Sequence, residues 1–150
     1  MRNDPEGRFE AAVVAYGLGD LELAARFFAA NCFFATCIPA ETLPFGGAVV
    51  GVPAILDRWK LVARDFELTA YKPRAVMITG ETIRTQIEYA FLHRASGEEI
   101  DGVMRIEAEF EFDKIAVWRE YHDGDRIKAF MRLCTAKLAA RLPIAERADS

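Results

Sequence analysis

The chain is poor in the residues that metal and redox chemistry use, with three cysteines and two histidines among 150 residues. Cys32, Cys37 and Cys134 fall at no metal-ligand spacing. His93 and His122 stand far apart with no carboxylate at ligand spacing, so no metal site is expected. An odd number of scattered thiols fits no disulfide framework; they read as buried and reduced, as in a cytoplasmic protein. No Cys-His constellation is spelled out that would make one of them a nucleophile.

Basic charge is scarce as well: 19 Lys and Arg stand against 23 Asp and Glu, a net charge of −4. Clustered cations, which a nucleic-acid backbone demands, are missing, so no nucleic-acid partner is expected. Arg58, Lys60 and Arg64 on one stretch, and Arg126, Lys128 and Arg132 on another, read as solvated helix faces. No apolar run approaches the roughly 20 residues that a bilayer requires. The opening "MRNDPEGR" has no apolar signal core. No membrane partner is expected, and the cytoplasm is the expected location. Repeats, low-complexity runs and linkers are absent, and 1–150 read as one domain.

What is abundant is apolar surface. Hydrophobic residues make up 52% of the chain, with eleven Phe and two Trp, enough to line a cavity as well as fill a core. Phe9, Val13 and Tyr16 at helical spacing predict a helix over 5–18, with Asp4 as cap and Pro5 at its first position. Asp20 caps a second helix whose apolar face is Leu21, Ala24, Ala25 and Phe28. "CFFATCIP" is a short strand stopped by Pro39, and "AETLPFGGA" is a loop. Ile55, Trp59, Val62 and Phe66 mark a third helix in "GVPAILDRWKLVARDFE".

The period then switches to two. Strands are predicted at 68–78 (interrupted by Pro73), 82–93, 102–112 and 115–122. "DRIKAFMRLCTAKLAARL" returns to helix, with Ile127, Phe130, Met131, Cys134 and Leu138 on one side. Within 102–112, Met104, Ile106, Ala108, Phe110 and Phe112 point one way, and Val103, Arg105, Glu107, Glu109 and Glu111 the other. The acidic row faces water or a partner subunit; the apolar row faces the helices. Helices followed by a strand meander make an α+β plan.

This order of elements resembles the nuclear transport factor 2-like superfamily, particularly its SnoaL-like (polyketide cyclase-like) branch, over 9–131. The resemblance is carried by "GLGDLELAARFFAANC", "PFGGAVVGVPAI" and "FEFDKIAVWREYHD". It implies a cone: a curved antiparallel or mixed sheet wrapped around three N-terminal helices, plus a C-terminal helix, with a pocket at the wide end. Members include isomerases, cyclases, hydrolases and plain binding modules. Limonene-type epoxide hydrolases have a similar final strand, W-R-D-Y-F-D, in which the acid is catalytic. The matching acid here is Glu120, flanked by Trp118 and His122 on the same strand face. The Arg-x-Asp partner of those enzymes has no counterpart; the nearest segment is Gln86-Ile87-Glu88. The Asp-Pro of ketosteroid isomerases is replaced by "ATCIP".

Two registers decide what faces inward. A two-residue turn at Asp113-Lys114 would set Trp118 opposite Glu109, on the acidic side. A bulge or a turn shifted by one residue would bring it beside Phe110. The second is preferred, because the first buries Arg119. A turn at Ser96-Gly97 pairs Tyr89 with Met104 and Ile87 with Ile106, placing Thr85, Ile87, Tyr89 and Phe91 inside. A one-residue slip would place Gln86 and Glu88 there instead; the first register buries the apolar set.

The candidate catalytic residues are therefore Glu120 and His122, and the candidate pocket lining is Trp118, Tyr89, Ile87, Phe91, Met104, Ile106, Phe110 and Tyr16. A carboxyl and an imidazole enclosed by apolar walls are driven toward their neutral forms, which suits proton transfer near neutrality. The expected ligand is a small apolar, oxygenated molecule, handled without a cofactor. Plainer readings stand beside each of these. Glu120 can pair with Arg119, Arg105 or a helix cation, His122 can be a satisfied strand-end histidine, and Trp118, Phe110 and Ile106 can be core. Asp123 and Asp125 read as the cap of the last helix, and His93 as an exposed residue beside a turn. The competing function is a non-catalytic binding or assembly module. A homodimer through the outer strand face is expected under both.

Overall fold

The computed structural model describes residues 4–38, 43 and 45–142. Helix α1 (Pro5–Gly17) starts where Asp4 accepts a hydrogen bond from the Gly7 N–H at 3.1 Å, and Pro5 adds a preset φ. It buries Phe9, Ala12, Val13 and Ala15. Helix α2 (Leu21–Ala25) is capped by Asp20 and is shorter than its apolar spacing predicts. Phe28 does not continue it but opens strand β1 (Phe28–Cys37). The competing force is the sheet: the Phe27 carbonyl accepts the Ile115 N–H at 2.8 Å and draws the chain into strand pairing.

Strand β2 (Gly47–Val50), which the sequence reading missed, forms a short edge between Gly47 and Gly51, both at positive φ. The expected stop at Pro39 and positions 40–42 and 44 of the expected loop lie outside the described residues. Helix α3 (Val52–Asp65) buries Ile55 and Trp59, and Phe66 then begins β3 (Phe66–Thr79) rather than ending the helix. Strands β4 (Thr82–His93), β5 (Glu99–Glu111) and β6 (Lys114–Tyr121) follow, then helix α4 (Gly124–Ala139), capped by Asp123 as read from "DGD". No described helix is long and apolar enough to cross a membrane.

The six strands run in the order β2-β1-β6-β5-β4-β3. All pairs are antiparallel except β1 with β6, so the sheet is mixed, with α1–α3 on one face. Met104, Ile106, Ala108 and Phe110 of β5 are buried as their alternation predicts. Phe112 departs from that row: it is 88% exposed, at φ 50, in a two-residue turn with Asp113 at φ 67. The turn is thus Phe112-Asp113, with Glu111 opposite Lys114. A bulge follows, because Phe110 pairs with Ile115 but Glu109 with Val117, leaving Ala116 extra. That one residue rotates Trp118 to the inner face opposite Ala108, where it is 4% exposed.

The β4–β5 pairing differs from expectation by two residues: Tyr89 opposes Gly102, Ile87 opposes Met104, and Thr85 opposes Ile106. A two-residue shift keeps the apolar face inward and changes only the neighbours. The connection is longer than a two-residue turn, closing with the His93 N–H on the Glu98 carbonyl at 2.8 Å. His93 is half-buried rather than exposed, its Nδ1 2.7 Å from the hydroxyl of buried Ser96. Tyr89 lies across Gly102: a Cβ there would sit 2.7 Å from the phenol oxygen.

Two apolar clusters result. One lies between helices and sheet and includes Phe9, Phe34, Ile55, Trp59, Ile87, Ile106 and Trp118. The other gathers Phe66 and Ile100 under Ile127, Phe130 and Cys134 of α4.

Candidate functional site

A cavity of about 100 Å³ draws its walls from both clusters. Its polar centre comes from β6. The bulge at Ala116 sets Trp118, Glu120 and, just past the strand, His122 on the inner side. The Trp118 ring stacks on Phe9 at 5.6 Å and on Phe34 at 6.2 Å. Its Nε1–H donates to Glu120 Oε1 at 3.0 Å. Oε2 of the same carboxyl lies 3.1 Å from His122 Nε2. The Glu120 and His122 side chains are only 15% and 10% exposed.

Among the described residues, no arginine forms an ion pair with this carboxylate. Arg119 sits on the outer face with Glu109 at 3.0 Å and Glu107 at 3.4 Å, and Arg105 lies over the Tyr121 ring at 5.0 Å. His122 Nδ1 is buried without a partner. A buried orphan N–H is rarer and costlier than a bare lone pair, so the geometry fits the tautomer whose Nε2–H donates to Glu120.

Further polar groups surround the pair. Tyr16 of α1 and Tyr71 of β3 touch at 5.0 Å between ring centres. Burial first, and the Glu120 charge second, hold both phenols above their ordinary range. Thr36 sits opposite Glu120 in the parallel β1–β6 register. Arg58 reaches in from α3, donating to the Gly47 carbonyl at 2.6 Å and the Gly46 carbonyl at 3.1 Å. Burial lowers its pKa, and the nearby Glu120 charge acts in the opposite sense.

Among the sequence candidates, Tyr16, Tyr89, Phe91, Met104, Glu120 and His122 all line the cavity. Ile87, Ile106 and Phe110 do not; their strand positions lie deeper, where they are plain core. Trp118 lies behind the cavity, beside a small void it shares with Tyr16, Tyr71 and Glu120. Arg58 corrects the reading of its stretch as a solvated face. It lies three residues after Ile55 and four before Val62, within the apolar stripe, and that spacing was the available signal. Thr36, Tyr71 and the α4 side chains Ile127, Phe130 and Met131 were also missed.

Of the thiols, Cys32 and Cys134 are buried as expected, whereas Cys37 is exposed. Burial pushes the Cys32 thiol up to about 12. Among the described residues, no cluster of His, Cys, Asp and Glu could hold a metal ion.

No family model and no curated protein matches the chain. Solved structures do. An NTF2-like protein of unknown function from Burkholderia pseudomallei is 16% identical with a TM-score of 0.78, covering 90% of this chain and 99% of that one. An M. tuberculosis epoxide hydrolase of the LEH-like kind is 12% identical with a TM-score of 0.70, covering 92% and 96%. A Mesorhizobium loti protein classed with SnoaL-like polyketide cyclases is 14% identical with a TM-score of 0.64, covering 77% and 97%. The fold is that of the NTF2-like proteins.

Proposed function

We propose that the chain is a small-molecule pocket protein in which Glu120 and His122 move a proton on an apolar, oxygen-bearing substrate, without a cofactor. The carrying observation is the Glu120–His122 contact at 3.1 Å inside a mostly apolar cavity, with the carboxylate fixed from behind by the Trp118 indole. Glu120 accepts the proton, and the His122 Nε2–H steadies the carboxylate. Charge that develops on a substrate oxygen meets the phenol O–H groups of Tyr16 or Tyr71, which their burial keeps protonated. Structural relatives described as epoxide hydrolase and polyketide cyclase support the reading at the level of fold only.

Glu120→Gln keeps the size and one acceptor but removes the base. Turnover of any substrate found by screening cyclic ketones, epoxides and enolisable aromatics should fall by about a hundredfold or more. Undiminished turnover would sink the proposal. The outer sheet face, where Arg84, Glu107, Arg119 and Glu109 form a chain of ion pairs beside exposed Val103, serves as the homodimer surface. A single-protomer mass by light scattering at micromolar concentration would refute that part. Reduced, mostly buried thiols suit a cytoplasmic protein.

A further inference from the structure

We propose that Arg58 makes this cavity a receptor for an anionic oxygen, so that the ligand is an apolar ring or chain bearing a carboxylate or an ionised enol. The inference rests on the cavity being a ligand site and adds the chemical class. A guanidinium carries five N–H donors. Among the described residues two of those on Arg58 go to the Gly46 and Gly47 carbonyls, and the side chain that carries the others lines the cavity. It is the one arginine or lysine among the described lining residues.

A half-buried cation whose partners among the described residues are neutral carbonyls is incompletely compensated by them. Glu120 acts on its charge from across the same cavity, but no ion pair joins the two. Both side chains line that cavity, whose volume of about 100 Å³ leaves room for ligand atoms. The Glu120 oxygens are already engaged, one by the Trp118 N–H and one by His122, so the carboxylate's lone pairs are partly occupied when an anion enters. Carboxylate oxygens match the guanidinium fork, which adds orientation to charge.

Calorimetric titration of the whole chain at neutral pH tests this with two matched pairs: benzoate against benzyl alcohol, and 2-naphthoate against 2-naphthylmethanol. In the wild type, each carboxylate should bind about tenfold more tightly than its alcohol, a difference of roughly 1.4 kcal/mol. Arg58→Lys should keep part of that preference. Arg58→Gln retains an amide donor for the glycine carbonyls and should lose the preference while still binding the alcohols.

Equal wild-type affinity for acid and alcohol overturns the proposal and leaves the pocket reading intact. A preference that persists in Arg58→Gln also overturns it. Failure of all four probes to bind the wild type refutes both readings together. Should Arg58→Gln not fold, judged by near-ultraviolet circular dichroism, the wild-type comparison and Arg58→Lys decide the matter.

Discussion

Trp118 illustrates how one polar atom on an aromatic ring links core to site. Its faces stack on Phe9 and Phe34, and its single N–H is spent on the half-buried Glu120 carboxylate. Trp118→Phe keeps the stacking and deletes the donor. The expected loss is about 2 kcal/mol in urea unfolding, the range for a hydrogen bond to a charged group. Gly102 is a second such point. Gly102→Ala would drive a methyl into the Tyr89 phenol, which stands 6.0 Å from the His122 ring, and should cost about 1–3 kcal/mol. A crystal structure of that variant should show Tyr89 displaced from strand β5. The thiols offer a chemical check: exposed Cys37 should alkylate first in the folded protein, slowed because partial burial and the Glu120 charge raise its pKa. Cys32 and Cys134 should stay protected until denaturant is added. Mass spectrometry of timed samples reads the order directly.

At the scale of elements, the bulge at Ala116 decides which side chains enter the cone. Deleting Ala116 would remove only the unpaired bulge residue, leaving Ile115 opposite Phe110 and Val117 opposite Glu109, so Trp118 and Glu120 should stay inward on a regular ladder. The shortened chain should therefore keep a cooperative thermal transition, and loss of that transition would show that Ala116 is not the extra residue. Elements with one strong period were legible: α1 from Asp4 and Pro5, α3 from its apolar stripe, and β4 and β5 from alternation. The α2–β1 boundary was not, because the spacing from Leu21 to Phe28 serves a helix until β6 competes for the backbone. Strand β2, only four residues long, carries too little pattern to read. Glu120 and His122 were picked out by the likeness of this strand end to that of limonene-type epoxide hydrolases, and alternation placed them on one face. Arg58 was hidden by its charge, although its position in the α3 stripe pointed inward. The α4 wall depended on which end of the cone the helix covers, and no local spacing reports that.

For the whole molecule, the buried phenols couple stability to alkaline pH. Tyr16 and Tyr71 are held above the ordinary value of 10.0, so the folded state keeps protons that the unfolded chain releases. Their contribution is therefore fully present below pH 10 and is lost as the pH climbs past it, because the unfolded state then binds fewer protons. Melting temperatures should drop above that point, and the drop should be shallower in Tyr16→Phe. A tyrosinate absorbance titration should show the two phenols ionising only as the fold is lost. An equal slope in the variant would contradict the assignment.

The parallel pairing of β1 with β6 has a consequence in time. Thr36 meets Glu120 only after roughly 80 intervening residues have been brought into a closed loop, an entropic cost that local hairpins do not carry. Hairpins β3–β4 and β4–β5 can assemble while β1 is still unpaired. The proposed proton transfer and ligand capture should thus be the last properties to appear during refolding, lagging behind most of the strand signal.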